Sequence, residues 1–414
     1  MNKTLTQIES EVLSEGREWT RLHLEKRLQE QADAMVVCLQ SGLLLKRLRK
    51  FTFTLNTSVG VVTIHAPYGY STHANRYLCP TRQSWGLESH QRLSPEFERR
   101  LTFTVTQTGS FEKAAALSSN WGSPISDDAI HAMVQRVGAR AERTPTPPPV
   151  IKPSSPQFSL VIMMDGWMVR QRGLQWGEPP QLGQKLERVT WNEVKSAVIY
   201  RLEDRAENES GRGLLIEKYV VACPPQTTPI EFGAAVQKEA MLRGMARAKE
   251  VLVVADGAIW IWRIIEDRFA TATKTLDFYH GSQHLWDLAN YLHPSAPEAA
   301  RQWIEPLLHS LRHDPQHRVI EKLEKLVCPS PEGVAPDSSL TTKVEYFLSH
   351  REHLQYAELA ARGAPIGSGS MESQCSQFQD RLKRRGQFWS RKGLRNLLAL
   401  DVAVKNHSYT HLWN

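Results

Sequence analysis

Two aspartates carry the first chemical signal in this sequence. Asp165 in SLVIMMDGW and Asp256 in VLVVADGAIW each close a run of at least four apolar residues and precede a glycine. Such runs suit buried strands, and in an open α/β sheet ligands bind at the carboxyl ends of the strands. A carboxylate is costly to desolvate there unless something positive meets it, and two that converge repel each other. Divalent cations are the usual remedy. Mg²⁺, or Mn²⁺ in its place, prefers hard oxygen ligands, takes one or two carboxylates per ion and leaves room for phosphate oxygens. Asp-Gly after a strand is also a routine turn, and for either aspartate alone that explanation stays open. The repetition of the whole pattern counts against it for the pair.

A third carboxylate lies in GAPIGSGSMESQ. Gly363, Gly367 and Gly369 make a flexible approach, Ser368 or Ser370 caps a helix, and Glu372 falls in its first turn. That arrangement aims a carboxylate from a mobile loop toward the sheet edge, although Glu372 also fits as an ordinary N-terminal acid favouring the helix macrodipole. Directly after it, RLKRRGQFWSRKGLR (381–395) holds Arg381, Lys383, Arg384, Arg385, Arg391, Lys392 and Arg395 without one acid, interleaved with Phe388 and Trp389. A charge run is usually a solvated face. Seven uncompensated cations with aromatics among them favour phosphate-backbone contact and stacking on unpaired bases. The run accounts for the whole formal charge of +7, leaving the rest of the 414 residues neutral.

These residues need a frame, and the chain is long enough for two or three domains. Its 41% hydrophobic and 23% charged residues are ordinary globular composition. No apolar run approaches the roughly 18 residues that cross a bilayer. The start, MNKTLTQIESEVLSEGREW, lacks the apolar core of a signal peptide, so a cytoplasmic, nucleoid-associated protein without a membrane partner is expected. Cys38, Cys79, Cys223, Cys328 and Cys375 are an odd, scattered set that suits reduced thiols.

The seam is ERTPTPPPVIKPSSPQ, a Pro-rich linker at 142–157. Before it, residues 1–141 form a mostly α region. It contains a hairpin over 51–66 around Ser58-Val59-Gly60 and a helix capped at Ser94-Pro95-Glu96. At about 111–141 a short helix (Phe111–Ser119), a turn at Gly122 and a second helix capped by Ser126-Asp127-Asp128 make helix-turn-helix syntax, which two ordinary short helices packed through Ala and Leu would also give. After the linker, strands are expected at 158–164, 194–203 and 213–223, a helix at 230–249, and strands ending at Asp256 and over 273–279. From His280 to about Gly363 the pattern is helical, broken at Pro294, Pro306 and CPSPEGVAPDSS. Three strands, a helix and two further strands interleaved with helices are the order of an RNase H-like α/β core, though strand count alone leaves other α/β folds open.

MMDGW, VVADGAIWIW, TLDFYHGSQHL and APIGSGSMESQ, with the ending NHSYTHLW, together resemble the DDE transposases of bacterial insertion sequences, and within them the ISKra group. The resemblance covers most of 158–414. It implies an RNase H-like catalytic core whose first part is 158–280, an all-α insertion at 281–363, and a C-terminal part at 364–414 with Glu372 and a basic helix. Asp165, Asp256 and Glu372 would be the metal-binding catalytic triad, holding two Mg²⁺ or Mn²⁺ ions about 3.5–4 Å apart. Asp277 and His280 would be an Asp-x-x-His accessory element that orients the site or the flanking DNA. The implied chemistry is hydrolysis at transposon ends and strand transfer into target double-stranded DNA, by a homodimer or higher oligomer in a synaptic complex. One departure is that Arg82 stands where relatives often place the second cysteine of a Cys-x-x-Cys knuckle after Cys79, so zinc is not expected. Three other readings compete: an RNase H-like nuclease that does not join, a non-enzymatic helix-turn-helix DNA-binding protein, and a metal-dependent hydrolase of small phosphoesters.

Overall fold

The computed structural model describes residues 3–42, 45–148, 157–179, 186–207, 213–328 and 337–413. Most of the Pro-rich linker (149–156) and of the CPSPEGVAPDSS loop (329–336) lies outside them. The chain divides into two units, Met1–Thr144 with Tyr409–Asn414, and Pro145–Ser408. The last six residues thus group with the N-terminal unit rather than with the 364–414 segment to which the sequence assigned them.

In the first unit a long helix, α1 (Leu5–Gly42), precedes an antiparallel hairpin, β1 (Leu45–Thr57) and β2 (Gly60–Ser71), edged by β3 (Arg76–Leu78). Period-two alternation buries Phe53, Leu55, Val62 and Ile64 with Ala32. Helices α2 (Pro80–Ser84), α3 (Pro95–Gln107), α4 (Phe111–Asn120) and α5 (Asp127–Arg143) follow. Ser94, Ser110 and Ser126 cap the last three, each hydroxyl accepting a backbone N–H three residues on. Gly122 turns the chain at φ +79°, so helix, turn and helix lie where the sequence placed them. Two of the cations of α5 are committed internally. Arg136 hydrogen-bonds to Glu98, which is 1% exposed, and Arg140 sits nearby; burial raises the Glu98 carboxyl above its ordinary value despite these partners.

The second unit is a mixed α/β fold around a five-stranded sheet. Its strands are β4 (Ser159–Arg172), β5 (Val189–Arg201), β8 (Tyr219–Cys223), β9 (Glu250–Ala255) and β10 (Thr273–Leu276), in the spatial order β10-β9-β4-β5-β8. The first three in sequence form an antiparallel meander, and β9 and β10 run parallel to β4. Short β6 (Arg205–Glu207) and β7 (Gly213–Leu215) form a separate ribbon, so the run 213–223 is two strands rather than one. Leu160, Ile162 and Met164 of β4 pack on α6 (Pro229–Leu242) through Phe232 and Val236 and on α7 (Ile259–Arg268) through Ile261 and Ile265. The same core continues into α8 (Phe278–Leu292), α9 (Pro297–His313), α10 (His317–Val327), α11 (Ser338–Ser349) and α12 (Tyr356–Ala361). On the opposite sheet face lies α13 (Gly369–Leu382), where Trp167 of β4 stacks on Phe378 at 5.8 Å. The final helix α14 (Arg391–Lys405) follows. Among the described residues no helix is long and apolar enough to cross a membrane.

Three local expectations are corrected. Pro306 does not break the chain but lies inside α9, whose buried Ile304, Leu307 and Leu311 hold the helix across the missing N–H. The strand expected over 273–279 stops at Leu276, because Asp277 caps α8 by accepting the Tyr279 N–H at 3.2 Å. The basic run is not one helix: α13 ends at Leu382, a turn spans 383–390, and α14 begins at Arg391.

Candidate functional site

The parallel ladders bring three aspartates to one level. Met164 pairs with Ala255, and Ala255 with Leu276. Asp165, Asp256 and Asp277 each come one residue later, just past the carboxyl end of the two parallel ladders that join these three strands. The Asp277 N–H donates to the Ala255 carbonyl at 2.7 Å, carrying the register one step further. Asp165 differs from expectation in lying inside its strand. β9 stops at Ala255, but β4 stays paired with β5 as far as Arg172.

Both Asp-Gly glycines allow a close approach, and only the second also lies in a turn. Gly166 is in the β4–β5 ladder opposite Lys195, and a Cβ there would fall on the Glu193 carboxylate. A Cβ on Gly257 would come within 2.5 Å of the Tyr346 hydroxyl.

Each acid has a distinct setting. Asp165 accepts the Gly166 N–H at 2.6 Å through Oδ1 and faces the Cys375 thiol at 3.5 Å through Oδ2. Burial first, and the nearby Asp256 charge second, push its carboxyl up to about 6. Asp256 spends Oδ1 on the Ala258 N–H at 3.0 Å, opening the turn into α7. Asp277 is fully buried and saturated. It accepts from the Ser368 N–H (3.1 Å), the Ser368 hydroxyl (2.9 Å) and the Tyr279 N–H, and pairs with His280 Nδ1 at 2.6 Å. These bonds outweigh desolvation and hold the Asp277 carboxyl below its ordinary value. The Asp277 partner in turn raises half-buried His280, helped by the more distant Asp256 and Asp165.

Glu372 is exposed in the first turn of α13, as its sequence position suggests. Ser368 precedes the helix without a side-chain capping bond, because its hydroxyl is turned to Asp277 and lies 3.4 Å from Glu372. The glycine-bearing loop is pinned rather than free. Ile366 accepts the Phe278 N–H at 3.0 Å, and a Cβ on Gly367 would meet the Tyr279 ring at 2.7 Å. Asp277, His280 and Glu372 bring one ligand atom each within 4.8 Å of one another, a group that could hold a metal ion.

Cys375 and Ser368 were not singled out in the sequence as site residues. Cys375 is one helical turn past Glu372, a spacing that puts both on adjacent parts of one face. Burial and the neighbouring carboxylates push its thiol up, so it remains a protonated donor to Asp165. Tyr346, which caps Gly257, had no local signal at all.

Two of the residues expected to contact DNA are held within the fold. Arg381 is 4% exposed, on the buried stripe of α13; desolvation lowers its guanidinium to about 10, while buried Asp401 of α14 opposes that shift. Trp389 is built into the sheet edge, its N–H donating to the Arg170 carbonyl at 3.1 Å and its indole N–H to the Leu382 carbonyl at 2.7 Å. Lys383 is half-buried, and Arg384, Arg385, Arg391, Lys392 and Arg395 are exposed.

No protein-family model matches the chain. It is 25% identical over 344 residues to the "UPF0236 protein in vanSb 3'region" of Streptococcus gallolyticus, an alignment spanning 79% of this chain and 67% of that protein. Over most of its length the chain is therefore similar to a UPF0236 protein, a name that states no activity.

Proposed function

We propose that this chain is a divalent-metal-dependent phosphoryl-transfer enzyme acting on DNA, a transposase of the DDE kind with an RNase H-like core. The observation that carries the reading is the alignment of Asp165, Asp256 and Asp277 at the ends of three adjacent parallel strands, with Glu372 of α13 close to Asp277 and His280. Numbered by appearance, the strands lie in the order 3-2-1-4-5, with the first three antiparallel and the last two parallel to the first. That arrangement supports the RNase H-like assignment made from element order.

The donor set fits a hard divalent cation. Asp165 is a carboxylate whose ionised form is disfavoured by burial and by Asp256, the condition that a bound cation relieves. Asp165, Asp256 and Glu372 would hold it. When bound, such an ion supplies electrostatic stabilisation for phosphoryl transfer. Asp277 is a weaker candidate ligand than its place in the Asp277–His280–Glu372 group suggests, since its oxygens already accept four hydrogen bonds. Its work is positional. It fixes the His280 ring by one nitrogen and ties the 366–368 loop, and so the start of α13 and Glu372, to the end of β10. The Cys375 thiol orients the Asp165 carboxylate from the other side.

The test is a donor plasmid carrying the DNA flanking the coding region, incubated with the protein, Mg²⁺ and a target plasmid. Cleavage at the flanks and joining to the target are expected, and Asp256→Asn should abolish both. Cleavage without joining would leave a nuclease and refute the transposase assignment; unchanged DNA processing by Asp256→Asn would refute the enzyme.

A further inference from the structure

β4 and β5 run on past the acid cluster as a hairpin, and the basic turn after α13 is fastened along it. The Arg172 N–H donates to the Trp389 carbonyl at 2.9 Å, and Trp389 returns its own N–H to Arg170. The Arg172 side chain adds a bond to the Phe388 carbonyl at 3.2 Å. On this frame cations and rings alternate. The Lys383 ammonium lies 5.8 Å and the Arg170 guanidinium 5.7 Å from the Trp191 ring centre, and Arg170 lies 5.1 Å from Phe388. Phe388 is 5.1 Å from Trp176, over which Arg172 sits at 5.2 Å. The two indoles are 41% (Trp176) and 53% (Trp191) exposed. Exposed tryptophans gain nothing from hydrophobic burial, and their burial here would need a flat apolar partner. The segments 168–172 and 383–392 hold seven cations and no acid, which suits a polyanion.

We infer that this alternating platform of Trp176, Trp191, Arg170, Arg172 and Lys383 binds unpaired nucleotides of DNA. The choice of DNA as the polymer rests on the proposed function. A duplex offers its bases only by their edges, so an exposed indole stacks on a base only after that base has left the helix, while the flanking guanidinium groups take the phosphates. The platform is also set at a fixed distance from the acids. Asp165 and Arg170 lie on one strand, ~17 Å apart at about 3.4 Å per residue. An odd separation on a strand puts the Arg170 side chain on the face opposite Asp165, so the platform is a binding surface spaced along β4 from the acids and not part of their pocket.

The test is fluorescence anisotropy of the full-length protein in EDTA, with labelled 12-nucleotide oligo-dT, a 12-base-pair duplex and oligo-rU as probes. Oligo-dT should bind more tightly than the other two. Trp191→Ala should weaken oligo-dT binding about tenfold, the loss of one base–indole stack, with less than a twofold effect on the duplex. Trp191→Phe should restore most of the affinity, and thermal melts should report both variants folded. Equal losses on oligo-dT and duplex, tighter binding of oligo-rU, or an unchanged affinity in Trp191→Ala would overturn the inference. Asp256→Asn should bind oligo-dT like the parent protein. A protein that cleaves no DNA yet binds oligo-dT through Trp191 would sink the proposed function and leave the platform standing; cleavage with no contribution from Trp191 would do the reverse.

Discussion

Asp165→Asn should stabilise the metal-free protein while removing a residue that the proposed activity requires. The Asp165 carboxyl is pushed from its ordinary 3.8 up to about 6 by burial and by Asp256. At 1.36 kcal/mol per unit, a shift of about two units is a cost of roughly 3 kcal/mol for keeping it ionised at neutral pH. An amide is neutral, and its oxygen can still accept the Gly166 N–H, so the main local hydrogen bond survives. Allowing for partial solvation and a weaker contact with Cys375, we expect a net gain of about 1–2 kcal/mol, or roughly 4 °C in Tm for a unit of this size. The pH dependence is the sharper readout. In the unfolded chain the carboxyl loses its proton near 4, whereas the folded protein keeps it until about 6. Parent stability from this group is therefore complete below 4 and is lost as pH rises toward 6, because the folded state binds the extra proton. The advantage of the Asn variant should vanish near pH 4, grow through that window and level off above it. Differential scanning fluorimetry in EDTA from pH 4 to 8 measures this. A variant less stable than the parent at pH 7, or a difference that does not change with pH, would refute the electrostatic account of the site. Adding Mg²⁺ should raise the parent Tm and leave the variant nearly unmoved, since only the parent keeps the full set of acids.

Two other perturbations separate positioning from structure. Asp277→Asn should lower the His280 pKa, since the raised value comes first from the Asp277 bond; NMR titration of the His280 ring reads this directly, and an unmoved value would mean that Asp277 does not set the imidazole charge. Arg381→Met should cost about 1–2 kcal/mol in urea unfolding, because it removes one of two cations that favour ionised, buried Asp401 and leaves only Lys405 at 3.9 Å. Exposed Arg385→Ala should cost less than about 0.5 kcal/mol, and equal costs for the two variants would contradict the burial of Arg381.

Much of the fold was legible because period and capping are local. The alternation of 51–66 gave the hairpin, and Ser94, Ser110 and Ser126 marked three helix starts by the hydrogen bonds their hydroxyls make. The apolar runs before Asp165 and Asp256 located the central strands, since a strand covered on both faces must be apolar throughout. What failed depended on partners distant in sequence. β4 continues to Arg172 because β5 pairs with it there, and nothing in MVRQR announces a partner. Pro306 was read as a break from its chemistry alone, but packing on three leucine-type neighbours decides whether a helix survives a proline.

The site shows the same division. The sequence pointed to Asp165, Asp256 and Glu372 through their local surroundings, but that Asp165, Asp256 and Asp277 share one level follows only from strand register. Periodicity sets Arg381 apart from the rest of the basic run. Met371, Gln374, Cys375, Phe378, Arg381 and Leu382 fall at three- and four-residue intervals and form the buried stripe of α13, and Leu394, Leu397, Leu398 and Asp401 repeat the spacing on α14. Composition sees only that 381–395 is basic. Periodicity separates the cation that continues an apolar stripe from those that leave it, and it places an arginine and an aspartate on two consecutive buried stripes. A buried arginine demands a buried acid, so Arg381 belongs with the α13 stripe and not with the exposed cations that follow it. The turn that follows lays half-buried Lys383 beside Trp191 and Phe388 beside Trp176.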